Sequence, residues 1–595
     1  MDRNTIIAVI LCVIVITVGM TFQQSLLSRQ ALAEEEAMAA EMAVADTELV
    51  GLNAASHFAA TGKANSSSEF TVTSGSLELT FDPVGGTISS IKDVQHNNEQ
   101  LLLKEDSDAN AFMMYWGADK SASISDVFNY TVETKEVAGK SDSITQVTFS
   151  REYKEANSGK TFTLEKRYAI PNNNEYMIQL AVTIYSNDGT AIPINVDNSM
   201  YTLSVGPQVG PSFKSLSRNY DYRRVYYKRE NKNGKTTANF SGGVFNYKEE
   251  VDWVGVVGKY FAFLVIPETD GIISNVSAVQ NTESEAIPQK DTVYLTRQAT
   301  GASKATDVYS FYIGPQLSST LGIYDNAKDN IFGLADHNLK KALDVSWLSW
   351  LESILKVILV LFYKLIPNYG IAIILLTILT KLITLPFTKK STESTAKMSA
   401  LQPKMKEIQE KYKDDPQAQN EAISKLYREE GINPMGSCWP MLIQFPIFIA
   451  LYGLLNKNFD LRGAMFISGW INDLSIPETV FTLPFNLPFL GADIHVLPIV
   501  YTLSMIFSMK ITQTGNTQAG SEGTMWFMTY GMSIMFFFIL YNAPSGLLLY
   551  WTVSNAISIG QQLMTNKKKL AGFQSEIAAH DAEKAAKKAA KKKNR

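Results

Sequence analysis

The sequence predicts a polytopic α-helical membrane protein with six transmembrane helices and a large antiparallel β-sandwich domain on one side of the bilayer. Three observations predict it. Apolar runs near the length that crosses a bilayer, about 20 residues, crowd the chain after residue 345 and recur at its N-terminus. From Phe70 to about Gly314 the pattern changes to a strict alternation of apolar and polar residues, the mark of half-buried strands. Lys and Arg are also unevenly spread, nine in 388–437 and ten in 566–595 against two in 456–495. Basic loops stay on the cytoplasmic side. Six spans then place both termini inside, and the β domain and the 456–495 loop outside.

The chain has 595 residues, room for several domains, and its net charge of −4 conceals an acidic early linker and a basic tail. Mean hydropathy near zero averages a polar first half and an apolar second half. Cys12 and Cys438 both lie in apolar runs and the five histidines are scattered. These features exclude a disulfide framework and a metal centre built at the usual ligand spacings.

Ile6–Phe22 is a 17-residue apolar run behind Asp2 and Arg3. Residues 1–23 read as an uncleaved signal anchor, because the cleavage-like Ala31-Leu32-Ala33 lies too far past the run. Large residues before Cys12 exclude a lipoprotein signal. Residues 24–69, rich in Ala, Glu and Ser, read as a flexible or transiently helical linker.

The β domain is expected over 70–320. Leu77-Glu78-Leu79-Thr80-Phe81 and Tyr176 to Ile184 alternate, and Gly85-Gly86, Asn187-Asp188-Gly189 and Asn233-Gly234 mark turns. Its length is ample for a core. Gly234-Lys235-Thr236 ends like a phosphate loop, but Arg229 stands where the first glycine belongs. The Tyr220–Arg229 cluster fits a ligand surface or an ordinary solvated strand. Residues 321–368 supply a linker and a helix, Trp347–Ile366, with Ser349, Glu352, Ser353 and Lys356 along one side. That pattern suits an amphipathic helix lying in the membrane interface.

Tyr369–Thr388 is the most informative stretch. It is an apolar run in which Thr377, Thr380, Lys381, Thr384 and Thr388 fall at i, i+3, i+4, i+7 and i+11, on one helical face. A polar stripe holding a cation has no use against lipid and faces a protein interior or a water-filled cavity. The competing reading is that Lys381 snorkels to the headgroups. Residues 389–431 follow as a charged helical hairpin outside the membrane. Met398, Leu401, Met405, Ile408 and Tyr412 form its apolar seam, and Asp415-Pro416 and Gly431 bound its second helix. A merely solvated connector fits the same periodicity.

Further apolar regions are Cys438–Leu455, Val496–Ile511, and Met525–Tyr541 with Leu547–Met564. The last pair is joined by five residues only, so its helices must be antiparallel. Gln444 lies in the first of these regions, and Tyr550, Ser554, Asn555, Ser558, Gln561 and Gln562 in the last. Polar groups on several spans argue for a shared hydrophilic interior. The lysine-rich tail, 567–595, fits attraction to anionic lipid or ribosomal RNA, or a topology signal alone.

Asn433-Pro434-Met435-Gly436-Ser437-Cys438-Trp439-Pro440, then Gln444-Phe445-Pro446-Ile447-Phe448, Pro544-Ser545-Gly546-Leu547-Leu548-Leu549-Tyr550-Trp551 and Ser554-Asn555, resemble the YidC-type membrane protein insertases of bacteria. The core resemblance covers about 347–565. The layout resembles the form found in two-membrane bacteria, which implies an inner-membrane protein with residues 24–368 periplasmic and a five-helix insertase core over 369–566. It implies a hydrated substrate groove bearing Lys381, where many relatives have arginine, with Thr377, Thr384, Gln444, Tyr550 and Asn555 in or beside it. The hairpin residues Met398, Leu401, Met405, Ile408 and Tyr412 are implied to meet substrates. Implied partners are nascent membrane proteins, the ribosome and targeting factors, the Sec translocon and the lipid bilayer. The resemblance implies no enzyme activity and no cofactor, because an apolar segment is already more stable in lipid and only its polar flank must be helped across. Two rival classes are a transporter or channel using Lys381 as a substrate or proton site, and a binding protein whose helices merely anchor the β domain. The first lacks the internal repeats and paired broken helices usual for it.

Overall fold

The computed structural model describes residues 57–564 apart from 211–222, 229–242, 248–250, 282–289, 344–347, 431–438, 514–525 and a few shorter stretches, with scattered positions beyond 564. The anchor at 1–23 and nearly all of the basic tail lie outside the described residues. So do most of the Asn433–Pro440 motif and Gly431. The chain divides into two compact units, one ending at Val345 and the other starting at Ser346.

The first unit is antiparallel β throughout. Its largest sheet has nine strands, in the order 58–60, 143–155, 161–171, 177–186, 304–315, 261–267, 253–258 and 223–228, with 129–136 pairing against 143–155. Trp253–Gly258 and Phe261–Pro267 are nearly continuous apolar runs because both faces of the sheet are covered there. A five-stranded sheet, in the order 243–247, 273–281, 290–298, 199–204 and 114–116, forms a second layer. A third sheet of four strands is built from 70–73, 77–82, 87–93 and 99–100. Within Leu77–Asp82 the alternation seen in the sequence buries Leu77, Leu79 and Phe81. Phe81 then packs on Phe149 and Tyr168 of the large sheet, at centroid distances of 5.9 and 5.2 Å.

Two polar links cross this core. Arg297 on the five-stranded sheet donates through Nε to Asp307 on the nine-stranded sheet at 3.0 Å, and Tyr201 donates to the same carboxylate at 2.7 Å. The fully buried Lys166 donates from Nζ to the carbonyls of Phe112 (2.6 Å) and Gly85 (3.0 Å). Phe112 has φ 63°, a conformation costly for a side-chain-bearing residue. Its ring stands edge-on to Phe311 at 4.5 Å. Lysine, core ring and turn glycine thus hold the strained backbone in place.

The domain starts earlier than the sequence indicates. Phe58–Ala60, inside the stretch read as linker, pairs with Tyr153–Glu155 as a further strand of the large sheet. Phe58 is buried against Trp116 and Phe162. Three residues are too few to show periodicity, and the partner lies about 95 positions away. Within the Tyr220–Arg229 cluster, Arg223–Lys228 is the strand at the other end of the path, with Val225 and Tyr226 buried.

The second unit is mostly helical. Its helices are α1 (Ser349–Leu365), α2 (Tyr369–Ala400), α3 (Gln402–Lys411), α4 (Pro416–Glu429), α5 (Trp439–Lys457), α6 (Leu497–Gln513), α7 (Met532–Leu540) and α8 (545–564). A π-turn, Phe527–Gly531, precedes α7. Among the described residues only Tyr369–Pro386 is long and apolar enough to cross a membrane on length and composition. Gln444–Asn456, Leu497–Ile511 and Thr529–Leu540 are shorter apolar helices. Of the six expected spans, the described residues hold one long apolar helix and three shorter ones, and the expected first span lies outside them.

Two features of this unit differ from expectation. The helix expected to end at Thr388 runs on to Ala400 despite Pro386. Met398 therefore belongs to the extension of α2 and not to the first helix of the hairpin. A proline removes one backbone donor, and bilayer helices tolerate it where neighbours restore the lost bonding. Second, Glu352 is not free at a water-facing edge: its carboxylate lies where a Cβ at Gly453 of α5 would collide with it. Lys356 pairs with Asp460 at 3.3 Å. Leu355 and Leu359 face the interior while Ile354, Val357, Leu361 and Leu365 are exposed along with Ser353 and Lys364, so the outward face is mostly apolar and Glu352 is the polar residue held against α5. The second hairpin helix ends at Glu429 with Glu430 as its C-cap, which leaves Gly431 in the next position, where the sequence expects the closing glycine.

Candidate functional site

The arrangement around Lys381 follows from where α2 and α8 begin. The loop 458–476 receives both starts. Asn368 Nδ2 donates to the Phe466 carbonyl at 3.1 Å, and a Cβ at Gly370 would strike the Phe466 ring. Ser545 Oγ donates to the carbonyls of Asp473 and Ile476, both at 2.8 Å, and Gly546 N donates to Leu474 at 2.9 Å. The Pro544-Ser545-Gly546 motif is therefore a docking element: serine and backbone amides grip the loop, and glycine permits the approach. At 1.5 Å per residue, Lys381 lies about 16 Å along α2 from Gly370, and Ser558 about 18 Å along α8 from Gly546. Two helices leaving one loop reach the same depth at these residues.

Lys381 Nζ donates to Ser558 Oγ at 2.9 Å, and Ser558 Oγ donates to the Ser554 carbonyl at 3.0 Å. Lys381 is 8 % exposed, while its neighbours Leu382 and Ile383 are 59 % and 60 % exposed. The helix thus presents its polar stripe inward and aliphatic side chains outward, the inverse of a water-soluble helix. A snorkelling lysine would share the outward face, and this one does not.

The threonines complete the stripe. Thr377, Thr380 and Thr384 are buried, and each hydroxyl donates back to a carbonyl of its own helix, at 2.7, 2.9 and 2.9 Å. Their lone pairs stay available toward the interior. Tyr550 is fully buried, with its hydroxyl in the neighbourhood of those of Thr380 and Ser554. Lys381, Thr380, Tyr550, Ser554 and Ser558 accordingly form one polar seam between α2 and α8.

The other side of α8 makes structural contacts. Trp551 stacks on Phe448 of α5 at 5.1 Å and lies 5.7 Å from Tyr501 of α6. Asn555 Nδ2 donates to Ser504 of α6 at 3.3 Å, so this residue ties two helices together away from the lysine. Gln444 is half-buried on α5. Among the described residues no hydrogen bond joins it to the seam. Ser558 was not singled out as a site residue in the sequence. The signal was the spacing Tyr550, Ser554, Ser558, at i, i+4 and i+8, which keeps three hydroxyls on one face.

In the hairpin, Leu401 and Met405 pack with Ile423 and Tyr427 as a small core, with Ile408 and Leu426 at its margin. The Asp415 carboxylate caps α4, accepting from Gln417 N and Ala418 N at 3.1 and 3.0 Å. Lys404 pairs with Glu430 at 3.1 Å. Leu401 and Met405 are fully buried, so they close the hairpin and offer no surface to a substrate. Tyr412 sits half-buried just past α3. Met398 lies on α2, and its side chain is outside the described residues.

An antiparallel β domain joined to a helical unit, whose long apolar helix keeps a cation on its inward face, is the layout of a membrane protein with a large domain outside the bilayer. A family model described as "60Kd inner membrane protein" matches residues 361–571, and one described as "YidC periplasmic domain" matches residues 69–358. The membrane protein insertase YidC of Treponema denticola is 37 % identical over 503 residues, 82 % of this chain and 84 % of that one. Its counterpart in Treponema pallidum is 34 % identical over 532 residues, 82 % of this chain and 83 % of that one. The Chlorobaculum tepidum protein is 29 % identical over 628 residues, the whole of both chains. The chain belongs to the YidC family of membrane protein insertases. It is an inner-membrane insertase with a periplasmic β-sandwich domain, and its substrates are nascent membrane proteins.

Proposed function

We propose that this insertase works without catalytic chemistry or cofactor, by offering the polar flank of an incoming segment the seam built around Lys381. The observation that carries this reading is the orientation of α2: a buried, hydroxyl-bonded lysine followed directly by the exposed aliphatic side chains of Leu382 and Ile383. An apolar segment is already favoured in lipid, and the barrier is the passage of its polar flank through hydrocarbon. A cation at mid-depth attracts an acidic flank. The hydroxyls of Thr377, Thr384 and Tyr550 supply hydrogen bonds that water would otherwise provide. The loop 458–476, gripped by both helices at one end, makes that end the closed one, so the flank enters from the other.

In this reading both termini are cytoplasmic, residues 24–368 are periplasmic, and the hairpin 389–431 and tail 567–595 meet the ribosome and targeting factors. The Sec translocon is an optional partner. Burial of Leu401 and Met405 moves hairpin contacts to its outer, charged faces. The transporter alternative gains no support from the geometry, since the seam joins two unbroken stretches of helix.

The test is photocrosslinking from positions 377, 381 and 550 to a stalled nascent membrane protein. Adducts at all three, shifting with the length of the nascent chain, are expected. Absence of adducts at 381 and 550, with uptake of a small solute in reconstituted vesicles, would overturn the proposal in favour of transport.

A further inference from the structure

The β-hairpin Phe481–Leu487 with Gly491–Ile494 belongs to no layer of the fold described so far. Its register pairs Phe481 with Ile494 and Thr482 with Asp493, and Thr482 Oγ1 donates to Asp493 Oδ1 at 2.6 Å. The register then shifts before Leu487 pairs with Gly491, and along this irregular strand Phe481 and Phe485 stand exposed while Leu483 and Leu487 are half-buried. The large apolar side chains at its outer positions are uncovered: Phe481 is 54 % and Phe485 58 % exposed, and Val480 beside them is exposed too. An isolated two-stranded hairpin is marginal in water, and a contiguous bare apolar face on a soluble surface marks a binding site.

The neighbourhood identifies the occupant. Residues 479–492 contain no charged side chain, and the hairpin ends two residues before α6 begins. Its base is fixed to the helical unit. Val480 N donates to the Ile494 carbonyl at 3.0 Å, Tyr541 OH donates to the Asp493 carbonyl at 2.9 Å, and the buried Glu478 carboxylate accepts from Leu497 N, the first residue of α6. The helix α6 follows at Leu497 and bears the exposed residues Ile499, Val500, Leu503 and Phe507. In an inner-membrane protein these face acyl chains. The exposed apolar side chains of the hairpin thus stand next in sequence to the start of a helix whose exposed residues are apolar.

We propose that the hairpin 481–494 is a membrane-dipping element, lying in the interface of the outer leaflet with Phe481, Leu483 and Phe485 among the upper acyl chains. Thr482, Asn486 and Asp493 remain at headgroup level. Aromatic side chains suit this depth, and an element held there disturbs lipid packing next to α6.

The experiment is site-directed spin labelling of the full chain in liposomes, with Cys12 and Cys438 replaced by serine. Nitroxides are placed in turn at Phe485→Cys, Thr482→Cys and Gly469→Cys, the last an exposed loop position. The label at 485 is expected to collide readily with oxygen and poorly with a water-soluble nickel chelate, the label at 482 to be intermediate, and that at 469 to favour the chelate. Equal chelate access at 485 and 469 would overturn the proposal, placing the hairpin in water. Shielding of 485 from both reagents would also overturn it, because a protein surface and not lipid would then cover the face.

Discussion

Lys381 and Ser558 meet at 2.9 Å between two helices that leave the same loop, the lysine Nζ donating to the serine hydroxyl. A hydroxyl is a weak partner for a cation. It holds the ammonium in place without neutralising it, so the charge stays available to a visiting carboxylate. At an effective dielectric of about 20, opposite charges about 4 Å apart attract by roughly 4 kcal/mol before desolvation. Lys381→Ala is expected to impair insertion of substrates with acidic flanks and to leave neutral flanks much less affected. Lys381→Arg is expected to be near normal, and Lys381→Glu worse than alanine for acidic flanks. Insertion efficiency of one model substrate, its flank varied from neutral to doubly acidic, measures this. Equal failure of the alanine variant on every flank would make Lys381 a packing residue.

Ser558→Ala removes the anchor and keeps the charge. One hydrogen bond to a charged group is worth about 1.5–3 kcal/mol, and the freed ammonium has no other described partner in the seam. Insertion of acidic-flank substrates should fall by less than in Lys381→Ala, and Ser558→Thr should restore it. A Ser558→Ala loss as complete as that of Lys381→Ala would show that position, more than charge, sets the rate.

How much of this was legible depended on the range of the determining contacts. The polar stripe on α2 could be read because helical periodicity is local, and its inward orientation follows from the cost of a cation in hydrocarbon. Ser558 could not be paired with Lys381 from sequence, since only the shared loop brings positions 177 apart to one depth. Phe58 reads as linker in the sequence because its strand exists only by pairing with 153–155. Glu352 suggested a watery edge, and Gly453, whose missing side chain makes room for it, gives no periodic signal. Leu401 and Met405 were recognisable as a seam, but a seam that closes on Ile423 and Tyr427 is no longer a surface.

The Glu352–Gly453 approach gives a second test of the helical unit. A Cβ at 453 meets the carboxylate of Glu352, so Gly453→Ala should lower stability by about 1–3 kcal/mol through overpacking. In a Glu352→Ala background the same substitution should cost much less, because the two positions share one contact. Thermal unfolding of the four proteins in detergent measures the coupling. Additive losses would mean that the carboxylate turns away freely.

For the hairpin, Leu401→Asp places a charge in the small core formed with Met405, Ile423 and Tyr427. An unpaired buried charge is strongly unfavourable, so α3 and α4 should separate while the membrane helices keep their topology. Protease protection of the loops tests the topology, and cleavage within 402–429 tests the hairpin. Ile408→Asp, at the margin of the core, should act in the same direction and more weakly. Altered protection of the periplasmic loops would make the hairpin a determinant of topology.

The last prediction concerns Lys166 in the β domain. Burial pushes its ammonium well below the ordinary lysine pKa, which is about 10.4 in the unfolded chain. Between the depressed folded value and that ordinary value, the unfolded state binds more protons than the folded one. Stability therefore rises with pH across this window and falls as pH drops toward the folded value, where the folded state must also carry the buried charge. Lys166→Met removes this pH-dependent contribution. It also leaves the carbonyls of Phe112 and Gly85 without their donor, at about 1–3 kcal/mol for each buried group left unsatisfied. The gap between wild type and variant should thus be widest at the alkaline end and narrow toward acid, where losing the buried charge offsets losing the hydrogen bonds. Thermal unfolding of the full chain from neutral to alkaline pH reads this directly. Two curves separated by a constant interval would mean that Lys166 titrates as it does in water, and that the two carbonyls are bonded by something other than a buried amine.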